Sequence, residues 1–517
     1  MKPPAFDWRD RLLPLAAGGL AAVAHPPFGF LPGLLGYALL LWDIDRTQTR
    51  RSAFFRGWLA GSIYFAISVW WVAEAFYVDI RQAWMAPFAV GFLATGLALF
   101  WGAAAAVYRA AAPKGALRVL VFAGALAGFE WLRGHVLTGF PWDLPGESWR
   151  AGSAPSQFAS VVGAYGLTWI TLAIASSAAF VREGRKGLIA VVAALAALAG
   201  LYGYGAYRLS HAVEGRGPLV RIVQPMVKQS AKYDPQLFQS IVDKYARLTL
   251  TPSPRTPDIV IWPEGAIPTA ANDFLAQGTW TLDEIAGSLK PGQTLMLGAY
   301  RIETAAKGDI YFNSLIVLRR EAAGELTLTG LYDKHRLVPF GEYMPLDSLM
   351  SRWGVKQMVH VGDGFTAAPP SRPVAPPGLP ALQPLICYES LFPGFTRAGA
   401  KTSGVNPAWI VNVSNDAWFG FTTGPLQHLN LASYRAIEEG LPMARATPTG
   451  VSAMIDAYGR VVPGATLGLG KAGVIDVHLP PPAPTTLFRL WGDWPFLLMM
   501  AVSVLVMVYG RLNKRWN

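Results

Sequence analysis

Long apolar runs dominate both ends of the chain, and a different pattern fills the part between them. A helix that crosses a bilayer needs about 20 apolar residues, and such runs occur before residue 208 and after residue 488. They are Leu12–His25, Phe30–Trp42, Phe54–Phe76, Trp84–Val107, Leu117–Gly139, Phe158–Val181, Gly187–Tyr207 and Trp491–Leu512, of which the first two are short. The pattern predicts a polytopic membrane bundle, with seven spans before the central segment and one after it.

The central segment has short apolar runs that are separated by turns and polar helical stretches. Strands are predicted at Leu219–Val223, Asp258–Trp262, Thr294–Ala299, Ser314–Arg319, Leu326–Tyr332, Leu382–Ile386, Ile410–Ser414, Gly450–Ile455 and Gly473–Val477. Helices are predicted at Pro235–Thr249, Thr281–Leu289, Leu391–Ala398 and Pro425–Glu439. Strands that alternate with helices are typical of a layered α/β domain. The predicted domains are therefore a membrane domain (1–207), an extramembrane α/β domain (208–488), and an eighth span with a short tail (489–517).

Composition and charge support this division. Of the 517 residues 52% are hydrophobic and 15% are charged, whereas an ordinary soluble domain has about 25% charged residues. The net charge is +11, but residues 208–488 hold 24 Lys+Arg and 22 Asp+Glu, a balance of +2. The positive excess lies in the hydrophobic flanks, and we see no basic patch with interleaved aromatic residues. Nucleic-acid binding is therefore not expected.

The distribution of Lys and Arg also predicts the orientation in the membrane. With the N-terminus in the cytoplasm, the inner segments carry 16 Lys+Arg, and the outer short loops carry 3, namely Arg81, Arg133 and Arg150. Cytoplasmic loops are enriched in these residues. The topology therefore predicts that both termini are cytoplasmic and that the central domain lies on the outer side of the membrane.

The chain's only cysteine, Cys387, stands where a predicted strand ends. A nucleophile is commonly delivered by a strand, with backbone N–H groups of the following turn facing the same space. Tyr388 and Glu389 follow it directly. The alternative is that Cys387 is an inert, buried small hydrophobe, which is the more common state of a free cysteine. With one cysteine, an intramolecular disulfide is excluded.

Two further strands end on a chemically useful side chain. Glu264 follows Ile259–Trp262 and stands between Pro263 and Gly265 in a tight turn, which suits a general base, although a simple turn cap is the alternative. Lys334 follows the predicted strand Leu326–Tyr332, eight residues before Glu342. A surface position is usual for Lys, but a desolvated Lys beside carboxylates stays charged and can stabilise an oxyanion.

The membrane half contains candidates of its own. Glu130 and Arg133 lie three residues apart near a helix end, so they share one helix face, and Trp142 follows in the outer loop. An interfacial ion pair with an aromatic belt explains these residues structurally. The functional alternative is a mouth through which lipid, or a lipidated chain, enters. Glu74, near the outer end of the third span, allows the same two interpretations.

The ordered set Glu264, Lys334 and Cys387 resembles the Glu-Lys-Cys triad of the nitrilase superfamily, which has an αββα sandwich fold. The resemblance runs from about Leu219 to Val477. It includes Asn412-Val413-Ser414-Asn415-Asp416-Ala417-Trp418-Phe419-Gly420, Arg435-Ala436-Ile437-Glu438, Arg445-Ala446, Gly450-Val451-Ser452 and Tyr458-Gly459-Arg460. With seven spans before this domain and one after it, the whole chain resembles the apolipoprotein N-acyltransferase family, which completes bacterial lipoprotein maturation.

This resemblance implies a ping-pong acyl transfer in the bacterial inner membrane, with the catalytic domain in the periplasm. A phospholipid, typically phosphatidylethanolamine, would give its sn-1 acyl chain to Cys387, and a diacylglyceryl apolipoprotein would accept it. Supporting roles are implied for Glu342, Glu389 and Tyr388, and substrate contacts for Tyr233, Tyr343, Asn415 and Trp418. Tyr233 departs from the family, which commonly has Trp there. No cofactor or metal is implied, and a monomer is expected.

Two other classes of protein remain as alternatives. A membrane-tethered amidase would use the same triad with water as the acyl acceptor, but one span is enough to anchor a domain. A transporter or receptor would place ionisable residues deep within the spans, whereas Glu74 and Glu130 lie near span ends.

Overall fold

The computed structural model describes residues 9–111, 113–306, 308–344 and 364–513. Its contacts divide the chain into two compact units. Unit 1 contains the described residues up to Ala212, Thr422–Glu438, and those from Thr485 onwards. Unit 2 contains Val213–Phe421 and Glu439–Pro484. The domain boundaries at residues 207 and 488 stay a prediction from the sequence pattern.

The elements are numbered in chain order. The helices are α1 (Arg9–Val23), α2 (Leu35–Asp45), α3 (Arg50–Ser68), α4 (Ala86–Ala111), α5 (Arg118–Arg133), α6 (Ala159–Ser176), α7 (Gly184–Ser210), α8 (Phe238–Thr249), α9 (Ala271–Phe274), α10 (Trp280–Ser288), α11 (Phe395–Ser403), α12 (Gly424–Glu439), α13 (Leu487–Trp491) and α14 (Trp494–Asn513). The strands are β1 (Leu219–Gln224), β2 (Ile259–Trp262), β3 (Thr294–Ala305), β4 (Gly308–Arg320), β5 (Leu326–Asp333), β6 (Leu382–Ile386), β7 (Trp409–Val413), β8 (Met443–Ala446), β9 (Ser452–Ile455), β10 (Val461–Leu467) and β11 (Gly473–His478).

Each of the eight predicted apolar runs contains a helix, namely α1–α7 and α14. By length and composition, three helical segments can cross a membrane: Ile80–Ala111, Pro155–Phe180 and Gly184–Ser210. Arg50–Ser68 and Trp70–Tyr77 together make a fourth candidate that is bent by 48°. The apolar segments of α1 and α14 are shorter than 18 residues. The described residues thus provide three or four candidate spans, and the eight-span bundle stays a prediction.

Helix α12 is part of unit 1, although its neighbours in sequence belong to unit 2. Tyr434 and Ile437 are fully buried in the hydrophobic core of unit 1. Asn430 accepts a hydrogen bond from the backbone N–H of Ala151 (2.8 Å) and donates one to the carbonyl of Glu147 (3.0 Å). Because these contacts combine apolar burial with satisfied polar groups, α12 is an integral element of unit 1.

Unit 2 is built on two sheets. The first has the strand order β11-β1-β2-β3-β4-β5, and the second has the order β10-β9-β8-β7-β6. β1, β2 and β3 run parallel, as do β6, β7 and β8, and the other neighbours run antiparallel. The carboxyl ends of parallel strands meet at one edge of a sheet, so residues that follow β2 or β6 are presented at such an edge.

The two sheets pack face to face and helices cover their outer faces. Apolar side chains from both sheets share one core, for example Ile261 and Met296 from the first and Val411 and Ala444 from the second. A second core joins the outer face of the first sheet to α8, α9 and α10. A Cβ on Gly399 of α11 would lie 2.7 Å from the Gln383 side chain, so α11 lies directly against β6. The predicted layered α/β domain is confirmed.

Three details of unit 2 differ from the sequence prediction. Strands β8 and β10 were not predicted, because Met443–Ala446 is short with a central Arg, and β10 contains a Pro-Gly pair that is typical of a turn. The helix predicted at Leu391–Ala398 begins later, at Phe395. Gly394 precedes it with φ +75°, so the chain turns there before the helix can start.

Candidate active site

Cys387 is the first residue after β6 and opens the short 3-10 turn Cys387–Leu391. Its φ is +49°, a left-handed conformation that is rare for a residue with a Cβ. The thiol residue is partly exposed. A left-handed cysteine between a strand and a tight turn points to function, since such strain persists where the surrounding structure enforces it.

Glu389 is the residue that enforces this turn. It is fully buried, and its Oε2 accepts a hydrogen bond from the backbone N–H of Ile386 at 2.8 Å. Its Oε1 accepts bonds from the Tyr332 hydroxyl (2.8 Å) and from the backbone N–H groups of His335 (2.8 Å) and Arg336 (3.2 Å). Burial raises the pKa of Glu389 to about 7, although these donors oppose the effect. Glu389 thereby ties the cysteine turn to the segment that carries Lys334.

Glu264 lies in the turn that follows β2 and its side chain is nearly buried. A Cβ on Gly298 would lie 2.5 Å from the Glu264 Cα, so only glycine lets this turn sit against β3. The Oε1 atom accepts a hydrogen bond from Asn313 Nδ2 at 2.7 Å. The Oε2 atom is buried and has no hydrogen-bond partner among the described residues. One oxygen is therefore fixed, and the other is available to accept a proton.

Lys334 is buried between two carboxylates. Its Nζ lies 2.9 Å from Glu342 Oε1 and 3.6 Å from Glu264 Oε1. Burial lowers the pKa of Lys334, but Glu342 and Glu264 outweigh this effect and raise it above its ordinary value. The side chain is therefore an ammonium at neutral pH, as an oxyanion-stabilising group must be.

Asn313 joins the two carboxylates and was missed in the sequence. Its Nδ2 donates to Glu264 Oε1 and also to Glu342 Oε1, the latter at 2.8 Å. The backbone carbonyl of Asn313 accepts a hydrogen bond from the backbone N–H of Lys334 at 2.8 Å. The available signal was an amide in the middle of an apolar strand, since a buried polar side chain needs partners.

The thiol of Cys387 is held in its protonated form by its surroundings. Burial and the Glu264 carboxylate raise the pKa of Cys387 to about 12, while the Lys334 ammonium acts in the opposite direction. The thiolate is the nucleophilic form of cysteine. This thiol consequently needs a base close by, and Glu264 is the group that can supply one.

The remaining candidates in unit 2 differ in how buried they are and in which residues they contact. Tyr388 is buried in the cysteine turn, with its ring 5.1 Å from that of Phe392. Asn415 donates to Gln229 Oε1 at 2.9 Å, and Gln229 in turn donates to the hydroxyl of Tyr233 at 3.1 Å. Tyr233 itself is 65% exposed, and the substrate contacts of Tyr233 and Asn415 stay a prediction.

Tyr343 and Trp418 are both half-buried. The Tyr343 carbonyl accepts the backbone N–H of Phe340 at 2.8 Å, which closes the loop after Lys334. Trp418 lies in the 3-10 turn Asp416–Phe419, which directly follows Asn415. Their substrate contacts stay a prediction.

The candidates in the membrane half belong to unit 1, and Glu130 and Arg133 are fully buried there. Arg133 donates to Glu130 through two nitrogens and also bonds the backbone carbonyls of Phe140 and Trp142. The Trp142 indole donates to Gln427 of α12 at 3.2 Å. These contacts are those of a structural ion pair that holds the loop containing Phe140 and Trp142, and a role in lipid access stays a prediction.

The cluster in unit 2 has the groups that acyl transfer needs. A thiol, a carboxylate with a free oxygen and a fixed ammonium converge from three strand ends, and the backbone N–H of Tyr388 follows the thiol. Together they can form a thiolate, accept its proton and stabilise a tetrahedral oxyanion.

Comparison with family models gives two matches that do not overlap. Residues 17–177 match the model of the apolipoprotein N-acyltransferase N-terminal domain. Residues 219–483 match the model of the carbon-nitrogen hydrolases. The first match lies in unit 1 and the second contains Glu264, Lys334 and Cys387.

Solved structures resemble the chain only weakly. An amidase from Nesterenkonia sp. shows 18% identity and a TM-score of 0.34, and the match covers 52% of this chain and 93% of the amidase. A glutamine-dependent NAD+ synthetase from Acinetobacter baumannii shows 13% identity and a TM-score of 0.34, over 50% of this chain and 44% of the synthetase.

Full-length relatives are far more similar. The apolipoprotein N-acyltransferase of Caulobacter vibrioides is 55% identical over 513 residues, which is 98% of this chain and 96% of the relative. The proteins of the same name from Bradyrhizobium diazoefficiens and Brucella melitensis are 37% and 36% identical, over 99% and 98% of this chain and 96% and 97% of their own lengths. By these matches, the chain belongs to the apolipoprotein N-acyltransferase family.

Proposed function

We propose that the protein transfers an acyl chain from a phospholipid to the N-terminal amine of a diacylglyceryl-cysteine apolipoprotein. The observation that carries the proposal is the convergence of Glu264, Lys334 and Cys387, with Lys334 Nζ 3.6 Å from Glu264 Oε1. Family membership supports the same reaction, because the relatives are named for it. The donor is proposed to be phosphatidylethanolamine, cleaved at its sn-1 ester.

In the first half-reaction the free Oε2 of Glu264 takes the thiol proton of Cys387. The sulfur attacks the ester carbonyl, and the oxyanion is held by the Lys334 ammonium and the backbone N–H of Tyr388. The intermediate collapses and the C–O bond breaks. Glu264 returns the proton to the departing glycerol oxygen, so lysophospholipid leaves and a thioester stays on the enzyme.

In the second half-reaction the α-amine of the acceptor attacks the thioester carbonyl, and Glu264 removes one of its protons. The intermediate expels the Cys387 thiolate, which takes back that proton. A thioester is activated towards amines, so the formation of an amide runs downhill. The same three side chains therefore serve both steps, as ping-pong transfer requires.

We infer that the protein is an integral membrane enzyme with eight spans, cytoplasmic termini and a periplasmic catalytic domain. The bias of Lys and Arg towards the inner segments supports this topology. Both substrates carry acyl chains that reside in a bilayer, so a membrane-embedded enzyme meets them without extracting them. The working form is proposed to be a monomer.

The experiment is mass spectrometry of the purified protein after incubation with phosphatidylethanolamine vesicles. The expected result is a hydroxylamine-labile acyl adduct on the Cys387 peptide, which a diacylglyceryl peptide with a free amine discharges. Discharge by water alone, with no amide product, would favour the amidase alternative. Failure of the Cys387 peptide to become acylated would refute the mechanism.

A further inference from the structure

Three polar residues that have no role in the mechanism above meet beside Cys387. The Ser414 hydroxyl donates to Asp416 Oδ1 at 2.7 Å, and Arg445 Nη2 donates to Asp416 Oδ2 at 2.7 Å. All three residues are fully buried. A buried ion pair is costly in desolvation, and replacing Gly450 would crowd it, since a Cβ there would lie 2.5 Å from Asp416 Oδ2. The fold thus makes room for this pair.

Strand register brings Ser414 to the thiol. Ile386 of β6 pairs with Val413 of β7 in a parallel ladder. Cys387 and Ser414 are the next residue on each strand, so they leave the sheet side by side. The Ser414 hydroxyl acts on the thiol as a hydrogen-bond donor would, because it opposes the effect of burial and lowers the pKa of Cys387. The hydroxyl therefore has two possible acceptors, the Asp416 carboxylate to which it is bonded and the neighbouring sulfur of Cys387.

We propose that Ser414 is a further catalytic residue, whose hydroxyl turns from Asp416 to the sulfur when the thiolate forms. A hydroxyl has one proton to donate, so it serves one acceptor at a time. While the thiol is protonated, Asp416 is the stronger acceptor. Once the thiol proton moves to Glu264, the sulfur is an anion and attracts the hydroxyl, while Arg445 still neutralises Asp416. Asp416 and Arg445 are positioning residues for this switch.

The proposal rests on acyl transfer through Cys387 and deepens it. In the thioester the sulfur is a weak acceptor, so the hydroxyl returns to Asp416. When the amine attacks and the thiolate leaves again, the hydroxyl turns back. Because it favours only the states with charged sulfur, Ser414 lowers the barriers of both half-reactions and affects kcat rather than KM.

The test measures the reactivity of the thiol in the full-length protein in detergent, with iodoacetamide as the probe. Cys387 is the only cysteine, so alkylation of the protein reports on this residue alone. The charged groups that influence the thiol are Glu264, Lys334 and Asp416, and they are left unchanged. Removing the hydroxyl with Ser414→Ala is expected to slow alkylation about tenfold at each pH between about 7 and 10, because a hydrogen bond to a charged group is lost.

Two comparisons separate this effect from a structural one. Ser414→Thr keeps a hydroxyl and is expected to restore the rate. Ser288→Ala removes a buried hydroxyl outside the site, which donates to the Ile285 carbonyl at 2.8 Å, and is expected to change nothing. If Ser414→Ala does not fold, Ser414→Gly removes the same hydroxyl. A wild-type rate in the variant without the hydroxyl, or no rescue by Thr, overturns the proposal. Because the assay uses no lipid, absence of acyl transfer in the wild type would count against the proposed function and not against this switch.

Discussion

The sharpest prediction concerns Glu264→Gln, which removes the proposed base and keeps the size of the side chain. The amide oxygen can still accept the bond from Asn313 Nδ2, and its NH2 group then replaces the free Oε2. Lys334 keeps its 2.9 Å contact with Glu342. The fold is therefore expected to survive, while the position that receives the thiol proton is blocked.

The magnitude follows from the electrostatics of the thiol. With a pKa of about 12 for Cys387, the thiolate makes up about 10⁻⁴ to 10⁻⁵ of the enzyme at about pH 7.5. A general base typically contributes about 10² to 10⁴ in rate. The Glu264 carboxylate also raises the thiol pKa, so its removal lowers that pKa and increases the thiolate population. The population rises about tenfold when the pKa falls by about one, and this gain offsets part of the lost base catalysis. If the recovery is about tenfold, a net loss of about 10² in acyl transfer is expected, within a range of about 10 to 10³.

Alkylation of the same thiol is expected to change in the opposite direction. Iodoacetamide needs the thiolate but no proton transfer during the reaction, and the thiolate becomes more populated when the neighbouring carboxylate is gone. At about pH 9 the variant should therefore react faster than the wild type. A parallel fall in alkylation and acyl transfer would refute the reasoning, as would acyl transfer above a tenth of the wild-type rate.

The assays are single-turnover acyl transfer from phosphatidylethanolamine and the rate of iodoacetamide labelling, both on the detergent-solubilised protein. A matched control is Glu303→Gln, the same change at a carboxylate that is paired with Arg301 (2.6 Å) and is 55% exposed. It is expected to leave both rates unchanged. Thermal unfolding of both variants checks that neither has lost its structure.

Three more outcomes are expected. Lys334→Met leaves two carboxylates facing each other without their ammonium, so activity should be lost and the unfolding free energy should fall by about 3 to 5 kcal/mol; a stable, active variant in a denaturation assay would contradict this. Glu389→Gln should remove the pH dependence of stability that Glu389 causes. Folding raises the pKa of Glu389 from 4.5 to about 7, so between these values the folded state binds the extra proton. The stability of the wild type therefore falls as the pH rises through that interval. Equal slopes of Tm against pH in the wild type and in Glu389→Gln would contradict this role of Glu389. Arg133→Gln should lower expression and Tm because it leaves a buried carboxylate unpaired, while activity per folded molecule is kept; a loss of activity in folded protein would instead favour a role in lipid access.

Much of the architecture could be predicted from apolar run length. Every long run contains a helix, and most short runs in the central segment are strands, because run length and flanking turn residues constrain the chain locally. Strand β8 could not be predicted, since Arg445 interrupts its apolar pattern. That arginine is compatible with a buried strand only because Asp416 neutralises it, and this partner lies 29 residues away in sequence.

The residues of the candidate site likewise include some that local sequence reveals and some that depend on tertiary contacts. Glu264, Lys334 and Cys387 each follow an apolar strand, so their presentation at a strand end was visible in the sequence. Asn313 and Ser414 were not identified as functional, because their contacts depend on which strands pair and in which register. Pairing between distant segments is not encoded in any local pattern.

The placement of α12 in unit 1 has a consequence for truncation of the protein and for its folding during synthesis. Tyr434 donates to the carbonyl of Gly146 at 3.0 Å, and Arg435 lies 3.4 Å from Glu147, all of them buried. A soluble fragment that begins after α7 would expose these side chains and separate buried charges from their partners. Synthesis of the chain faces the same constraint, because unit 1 lacks α12 until the ribosome has passed residue 439, and it lacks α13 and α14 until the ribosome has passed residue 513. A continuous stretch of chain that contains all of unit 2 therefore also carries α12 away from unit 1.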